Sequence, residues 1–197
     1  MSPELLPSIN TPGSRRSGFT LLELLVTIAI LSVLGAVGVG GFLFIVRRAR
    51  VQSVALEVAG WLEQVRNAAA DEVRVASTEG GCAITFSADA SYSAGQQIAS
   101  VDAGCTAVET VLRVPQEVQQ DSVSIATVGS PFTFTPRGLW IAGAGGAGPP
   151  GTNFQLTISL NGAAPVRCVR LSPTLGSVQI GRPPNSTALN CTNWETL

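Results

Sequence analysis

The sequence of 197 residues contains no histidine and no lysine, so arginine supplies all 12 of its basic side chains. Histidine is the usual general base at neutral pH and the most common metal ligand in proteins. Its absence excludes Ser-His-Asp and Cys-His catalysis, together with the zinc sites that contain histidine. The sequence also has no Walker A loop and no nucleophile motif. We therefore expect neither an enzyme nor a bound cofactor.

Charged residues make up 13% of the chain, about half the share in an average soluble domain. Part of the apolar excess lies between Phe19 and Val46, where the clearly polar side chains are Thr20, Glu23, Thr27 and Ser32. As a helix this segment measures about 42 Å, enough to cross a bilayer core of about 30 Å. The sequence thus predicts a membrane-spanning helix. No small-residue cleavage pattern follows it, which argues against a secretory signal and leaves a plain signal anchor as the alternative.

The cysteines all follow the membrane segment and are Cys82, Cys105, Cys168 and Cys191. A zinc site made of cysteines alone usually contains close pairs such as C-x-x-C, which this spacing lacks, so we expect no metal. An even number favours disulfides in an oxidising compartment, with three possible pairings. Closeness in sequence favours Cys82–Cys105 and Cys168–Cys191. Arginine counts on the two sides of the membrane segment are equivocal, so the cysteines place the C-terminal domain outside the cytoplasm.

Beyond Val46 apolar residues recur at steps of three and four, with charged and polar residues between them. This is the pattern of an amphipathic helix, which we expect to continue the membrane helix and to end near residues 77–81. We expect its apolar face to pack on the domain that follows. The predicted apolar stripe consists of Val51, Val54, Val58, Trp61, Leu62 and Val65.

After Gly81 the periodicity becomes that of short strands. We predict strands at residues 82–86, 109–114, 122–128, 132–135, 154–160, 166–171 and 176–180. The segments 154–160 and 166–171 should form a hairpin across the turn NGAAP. The glycine-rich stretch AGAGGAGPPG at 142–151 is predicted to be a loop, because no strand–helix unit surrounds it to form a dinucleotide site. The expected fold class is α+β, with a long N-terminal helix packed on an antiparallel β-sheet domain.

The motif GFTLLE, residues 18–23, lies between a short polar leader and the apolar segment. In this position it resembles the N-terminal signal of type IV prepilins. The resemblance implies that a prepilin peptidase cuts between Gly18 and Phe19 on the cytoplasmic side of the membrane. It also implies N-methylation of Phe19 and retention of the apolar helix in the mature protein.

One acidic residue, Glu23, interrupts the apolar segment. An ionised acid costs about 2.5–3.5 kcal/mol at the centre of a membrane helix, so such a residue usually has a partner or a role. The resemblance to prepilins implies the partner: in a filament, the new amine of Phe19 approaches Glu23 of a neighbouring subunit. Breaking a buried pair typically costs about 3–5 kcal/mol, so this contact can set the axial register of the subunits. The alternative is that Glu23 merely lies at the membrane interface.

The C-terminal half is similar to the globular domain of the GspH/FimT group of minor pseudopilins. The segments that carry the similarity are FTFTPRGLW at 132–140 and FQLTISLNGAAPVRCVRLSPTLGSVQIG at 154–181. The chain departs from this pattern in its glycine-rich loop, its four cysteines and its last residues. Between Asp121 and Glu195 it has no acidic residue, so the calcium site that major pseudopilins carry near the C-terminus is not expected.

These features divide the chain into five predicted parts. They are a prepilin leader (1–18), a transmembrane and assembly helix (19–46), an amphipathic continuation of that helix (47–80), a β-rich globular pseudopilin domain (81–181) and a C-terminal tail (182–197). The resemblance implies a single-pass protein of the bacterial inner membrane with its C-terminal domain in the periplasm, incorporated into a pseudopilus or pilus.

The first function that fits is structural, that of a minor pseudopilin in a type II secretion pseudopilus or a type IV pilus. The resemblance implies a part in filament initiation and tip assembly, and so in protein secretion. It implies as partners other pilins or pseudopilins in the filament, the prepilin peptidase and the inner-membrane assembly platform.

The second function is DNA binding by a minor pilin in pilus-mediated DNA uptake. Residues 122–194 carry four arginines and no acid, a local net charge of +4, and phosphate binding needs such clustering. Arg167 and Arg170 are three positions apart, so on a regular strand they point to opposite faces. Only one of them can then share a patch with Arg137 or Arg182, and DNA capture ranks second for that reason.

Overall fold

The structure is a computed structural model that describes residues 18–71, 81–87, 91–103, 105, 109–118, 121–143, 154–172 and 176–197, without the side chains of 37–39. The chain divides into two compact units, Met1–Phe42 and Leu43–Leu197. Residues 1–17 of the predicted leader lie outside the described residues, as do most of the segment where the helix is predicted to end and most of the glycine-rich loop.

The helix α1 spans Leu21–Asp71. In the first unit its large apolar side chains are exposed, among them Leu21 at 79%, Leu22 at 73% and Leu31 at 66%. Its most apolar window of 18 residues has a mean hydropathy of 2.5, so α1 is long and apolar enough to cross a membrane. Lipid tails are as apolar as leucine, so these side chains are well solvated by lipid or by other apolar helices.

In the second unit α1 is amphipathic, and its apolar stripe is buried. Polar contacts also fix this part of the helix: the indole N–H of Trp61 donates to the carbonyl of Glu109 at 2.8 Å, and Arg50 pairs with Asp121 at 2.9 Å. The predicted packing of the helix on the β domain is confirmed. The stripe residues are at most 3% exposed and are those predicted, Val51, Val54, Val58, Trp61, Leu62 and Val65.

The described residues of the second unit also form eleven strands. They are β1 (Cys82–Phe86), β2 (Ser91–Tyr92), β3 (Gln97–Val101), β4 (Val111–Arg113), β5 (Val123–Val128), β6 (Phe132–Phe134), β7 (Trp140–Ala142), β8 (Gln155–Leu160), β9 (Ala163–Leu171), β10 (Val178–Arg182) and β11 (Asn193–Thr196). A short 3-10 helix, Gln116–Val118, follows β4.

The strands make two antiparallel sheets. The five-stranded sheet has the order β4-β3-β1-β6-β7, and the six-stranded sheet has the order β11-β10-β9-β8-β5-β2. One core cluster joins the stripe of α1 to both sheets. Phe132 of the first sheet is central to it, because its ring centroid lies 4.5 Å from that of Phe154, next to β8 of the second sheet. The expected α+β fold, with the helix packed on antiparallel β-structure, is confirmed.

The hairpin of β8 and β9 follows directly from its turn residues. Asn161 and Gly162 have positive φ angles of 54° and 67°, which a two-residue type I′ turn requires and which asparagine and glycine tolerate best. Leu160 pairs with Ala163 to close the turn. The hairpin is therefore confirmed, although β9 begins at Ala163 rather than at residue 166.

Four strands lie outside the predicted segments, namely β2, β3, β7 and β11. The last of them belongs to residues 182–197, which the sequence suggested to be a tail. In the structure Arg182 ends β10, and β11 pairs with β10 at the edge of the six-stranded sheet. Gly181 makes room for this strand, because a Cβ atom there would lie 2.7 Å from the Trp194 ring.

Candidate functional site

The predicted processing site lies just before α1. Gly18 and Phe19 are outside the helix and exposed, and 76% of the Phe19 surface is accessible. Exposed, irregular backbone is where peptidases cut most readily. The structure therefore leaves the Gly18–Phe19 bond accessible, while the cleavage itself stays a prediction.

The polar side chains at the start of α1 differ in how they are satisfied. The hydroxyl of Thr20 accepts the backbone N–H of Glu23 at 3.3 Å, which caps the helix. The hydroxyls of Thr27 and Ser32 each donate to a carbonyl one turn earlier, at 2.8 Å. Among the described residues, the carboxylate of Glu23 has no such hydrogen bond or ion pair.

The position of Glu23 in the first turn of α1 does give its negative charge one favourable interaction. The N-terminal end of a helix dipole stabilises a nearby carboxylate by about 0.3–1 kcal/mol. This is smaller than the cost of an ionised acid inside a bilayer, about 2.5–3.5 kcal/mol. A pairing of Glu23 with a group of another subunit stays a prediction.

The structure separates the four arginines of the predicted DNA-binding set. Arg137 is exposed in the turn between β6 and β7 of the five-stranded sheet. The other three lie on β9 and β10 of the six-stranded sheet. Arg167 is buried at 4% exposure and lies beside Arg182, whereas Arg170 points to the opposite face of β9, as predicted from its spacing.

Arg167 and Arg182 share a pocket with a third arginine, Arg48, which lies outside the predicted set. The pocket has a volume of about 230 Å³. We call it the arginine pocket; its lining residues are Phe44, Arg48, Pro165, Arg167, Arg182, Pro183, Asn185 and Ser186. The pair Arg47–Arg48 directly after the apolar run is the signal in the sequence for this third arginine.

The charge of Arg167 is poorly compensated. Its guanidinium donates to the carbonyl of the preceding residue, Val166, at 3.0 Å, and it takes part in none of the ion pairs found among the described residues. Burial first, and then the positive charges of Arg48 and Arg182, lower the pKa of Arg167, against the opposing effect of Glu195. Leaving a buried charge without its partner typically costs about 3–5 kcal/mol.

The acid nearest to this cluster already has a partner. Glu195 on β11 pairs with Arg182 at 2.8 Å, and the side chains of the two residues are 64% and 48% exposed. Exposed pairs of this kind contribute about 0–1 kcal/mol. Three arginines and one paired carboxylate leave the arginine pocket with an excess of positive charge, so it is suited to an anion.

Arg170 has a structural role on the other face. Its guanidinium lies 4.0 Å from the centroid of the Trp194 ring, and its Nε donates to the Gln179 side chain at 2.7 Å. A cation over an indole ring contributes about 0.5–1 kcal/mol at exposed sites. Arg170 thus helps to hold β11 in place.

The four cysteines form the two disulfides that closeness in sequence favours, Cys82–Cys105 and Cys168–Cys191. The first lies in the core, with both cysteines at most 4% exposed. The second joins β9 to the segment that leads into β11. Within the described part of the chain, no group of three or more acidic or cysteine side chains is arranged to hold a metal ion.

Two family models match the chain. Residues 13–39 match the prokaryotic N-terminal methylation motif. Residues 46–175, which are more than half of the chain, match the model described as type II transport protein GspH. No curated protein and no solved structure matches the chain. The first match covers the GFTLLE motif, and the second covers the buried half of α1 and most of the β domain.

Proposed function

The chain belongs to the family of type II transport protein GspH and is a pilin-like minor pseudopilin, and we propose that it initiates assembly of its filament and lies at the filament tip. The family is structural rather than catalytic. The observation that supports a filament subunit is the division of α1, whose first part exposes its apolar side chains while the stripe of its second part is buried against a β domain.

This division suits a subunit that packs side by side with others through its N-terminal helix. The exposed apolar side chains can exchange lipid for neighbouring pseudopilin helices at little cost, because both surroundings are apolar. The β domain keeps its own core in either place. The proposed partners are other pilins or pseudopilins, the prepilin peptidase that acts at Gly18 and Phe19, and the inner-membrane assembly platform.

We place the subunit in the bacterial inner membrane as a single-pass protein, with the β domain in the periplasm. The helix α1 supports the single pass by its length and hydropathy. The two disulfides support an oxidising compartment for the β domain, since such bonds are rare in the cytoplasm. The lack of acidic residues from 122 to 194 supports a minor rather than a major pseudopilin, because a calcium site needs several oxygen ligands.

Processing by prepilin peptidase is the first prediction. The mature chain should begin at Phe19 and carry one added methyl group on its amine, because the Gly18–Phe19 bond is accessible and lies in the methylation motif. Intact-mass measurement of the protein extracted from membranes should show the loss of residues 1–18. A strain without the peptidase is the control, and there the full chain should accumulate. A chain that keeps Met1 in the presence of active peptidase contradicts the proposed function.

Filament counts provide the second prediction. An initiating tip subunit should occur in few copies per filament, so deleting its gene should reduce the number of filaments more than their length. Electron microscopy of sheared filaments measures both quantities, and re-expression at a low level should restore the number. If the subunit is instead recovered in proportion to filament length, it is a component of the filament shaft.

We do not propose DNA capture as a second function. The four arginines on which it depended do not form one surface, because Arg137 lies on the other sheet and Arg170 is engaged by Trp194 on the opposite face of β9. Neutralising several phosphates of one duplex requires cations along a shared surface.

A further inference from the structure

The arginine pocket has an unusual combination of burial and charge. Arg167 is 4% exposed and is not in any ion pair among the described residues. The two other arginines of the pocket add to its positive charge, and the carboxylate nearest to it is already paired with Arg182. Protein interiors keep charged groups only where they are paired or solvated. An anion bound in the pocket would give Arg167 such a partner.

Two lining residues of the pocket, Phe44 and Arg48, indicate the source of an anion that could bind there. Phe44 belongs to the apolar run that ends at Val46, and Arg48 lies two residues beyond that end. The apolar run is longer than the hydrocarbon core of a bilayer, so when it spans the bilayer its two ends reach the headgroup layers. Both Phe44 and Arg48 line the pocket, so a membrane-spanning apolar run brings the pocket next to the lipid headgroups.

The lining of the pocket matches the chemistry of a phospholipid headgroup. Three guanidinium groups can bind phosphate oxygens, since arginine presents a planar set of donors that fits phosphate. Phe44, Pro165 and Pro183 supply apolar surface in the same pocket, which suits the glycerol backbone and the first methylenes of the acyl chains. Free inorganic phosphate has no group that needs this apolar surface.

We propose that the arginine pocket binds the phosphate of an anionic phospholipid from the membrane that anchors the chain. Arg48 contacts the phosphate from the helix, and Arg167 and Arg182 contact it from the sheet. Duplex DNA fits this position less well, because it would have to enter a headgroup layer that is itself negatively charged. The proposal depends on the membrane anchor and not on the role in the filament, so the two can fail separately.

The test uses the full mature chain in micelles of dodecyl maltoside, a detergent without charge or phosphate. Native mass spectrometry measures the bound fraction as dioleoyl phosphatidylglycerol is added, with dioleoyl glycerol as the lipid that lacks the phosphate. We expect one phosphatidylglycerol to bind and dioleoyl glycerol not to bind. Equal binding of the two lipids would overturn the proposal, because the phosphate would then contribute nothing.

Two neighbouring arginines provide a matched pair of variants. Arg47 and Arg48 are both exposed at the same end of the apolar run, but only Arg48 lines the pocket. Arg48→Gln should weaken lipid binding at least about tenfold, as expected for loss of a charge-assisted hydrogen bond. Arg47→Gln should weaken it about twofold or less. Equal losses in the two variants would show general attraction to basic residues and overturn the proposed pocket.

Arg167 provides an independent measurement. If its charge is uncompensated without lipid, Arg167→Met should unfold at the same temperature as the wild type or higher in lipid-free micelles, since apolar replacement of a buried charge is often neutral or stabilising. Phosphatidylglycerol should raise the unfolding temperature of the wild type by more than that of this variant. An equal rise in both overturns the role of Arg167.

Competition separates the possible sources of phosphate. Inorganic phosphate and a duplex oligonucleotide are each added to the wild-type complex at the concentration of the lipid. We expect neither to displace phosphatidylglycerol. Displacement by inorganic phosphate would assign the pocket to a free anion, and displacement by the duplex would assign it to nucleic acid. Either result overturns the lipid proposal.

Discussion

Replacing Glu23 by glutamine in the full-length chain is expected to reduce incorporation into the filament as strongly as replacing it by alanine does. The reason is the proposed pairing of the Glu23 carboxylate with the Phe19 amine of a neighbouring subunit, which needs the charge and not only a polar side chain. Breaking a buried pair costs about 3–5 kcal/mol, so incorporation should fall by about two orders of magnitude or more. Quantification of the subunit in sheared filaments and in membranes measures this loss.

Membrane insertion should be unchanged or improved in both Glu23 variants. Removing an ionised acid from an apolar helix removes an insertion cost, which reaches about 2.5–3.5 kcal/mol for an acid at the helix centre. The amount of processed subunit in the membrane fraction therefore serves as the internal reference for the filament measurement. A variant that is missing from the membrane as well would point to a defect in insertion or processing rather than in assembly.

Glutamine is the informative replacement because the structure offers a competing role for Glu23. Thr20 caps α1 through the backbone N–H of Glu23, and a glutamate or glutamine at this position can reach back to the cap residue in a capping box. Glutamine keeps that ability and alanine loses it. If the glutamine variant assembled normally while the alanine variant did not, the carboxylate would act within its own helix.

Thr20→Ala is the matched control for helix capping. It removes the hydroxyl that accepts the Glu23 N–H, at a typical cost of about 0.5–2 kcal/mol, and it leaves every charge in place. We expect a much smaller loss of incorporation than in either Glu23 variant. A loss of equal size would show that order in the first turn, rather than the charge pair, limits assembly.

The parts of the fold that could be predicted from sequence are those in which local pattern and tertiary environment agree. The stripe from Val51 to Val65 repeats with the period of a helix and has one face to bury. The Asn161–Gly162 turn carries its own conformational requirement. In both cases the residues themselves contain the information, and no distant contact is needed to interpret them.

The strands that sequence could not predict depend on their partners. Ser91–Tyr92 is too short to show a period, and its extended form comes from pairing with β5. Asn193–Thr196 is mostly exposed and is a strand because β10, Trp194 and a disulfide hold it. Such short edge elements have little pattern of their own.

In the candidate sites, too, sequence could predict what depends on local pattern but not what depends on distant contacts. Sequence could assign Arg167 and Arg170 to opposite faces of a strand, because alternation along a strand is local. Sequence could not predict that Arg48 of the helix lines the same pocket as Arg167 and Arg182, since this depends on how α1 packs on the six-stranded sheet. Glu23 could be recognised as a candidate functional residue because the apolar run that surrounds it is visible in the sequence.

The two disulfides should differ in their effect on stability although they close loops of equal length, each with a sequence separation of 23. From loop entropy alone, each is worth about 3 kcal/mol. Replacing Cys82 and Cys105 together by alanine should lower the free energy of unfolding by about this amount or more, because both sulfurs are removed from the core. Urea unfolding of the mature chain in dodecyl maltoside, followed by tryptophan fluorescence, measures this change.

The matched variant replaces Cys168 and Cys191 by alanine and should lose much less than the ~3 kcal/mol of the loop model. That model assumes that the bond restrains only the unfolded chain. Here it also restrains an exposed edge strand, whose other attachments include the ladder with β10, the exposed Glu195–Arg182 pair and the contact of Trp194 with Arg170. When the bond is lost, the segment from residue 183 onward gains freedom in the folded protein as well, so part of the entropy cancels. Hydrogen exchange should therefore become fast in residues 191–197 while the core stays protected. A full loss of ~3 kcal/mol in the free energy of unfolding without faster local exchange would mean that β11 unfolds only together with the core.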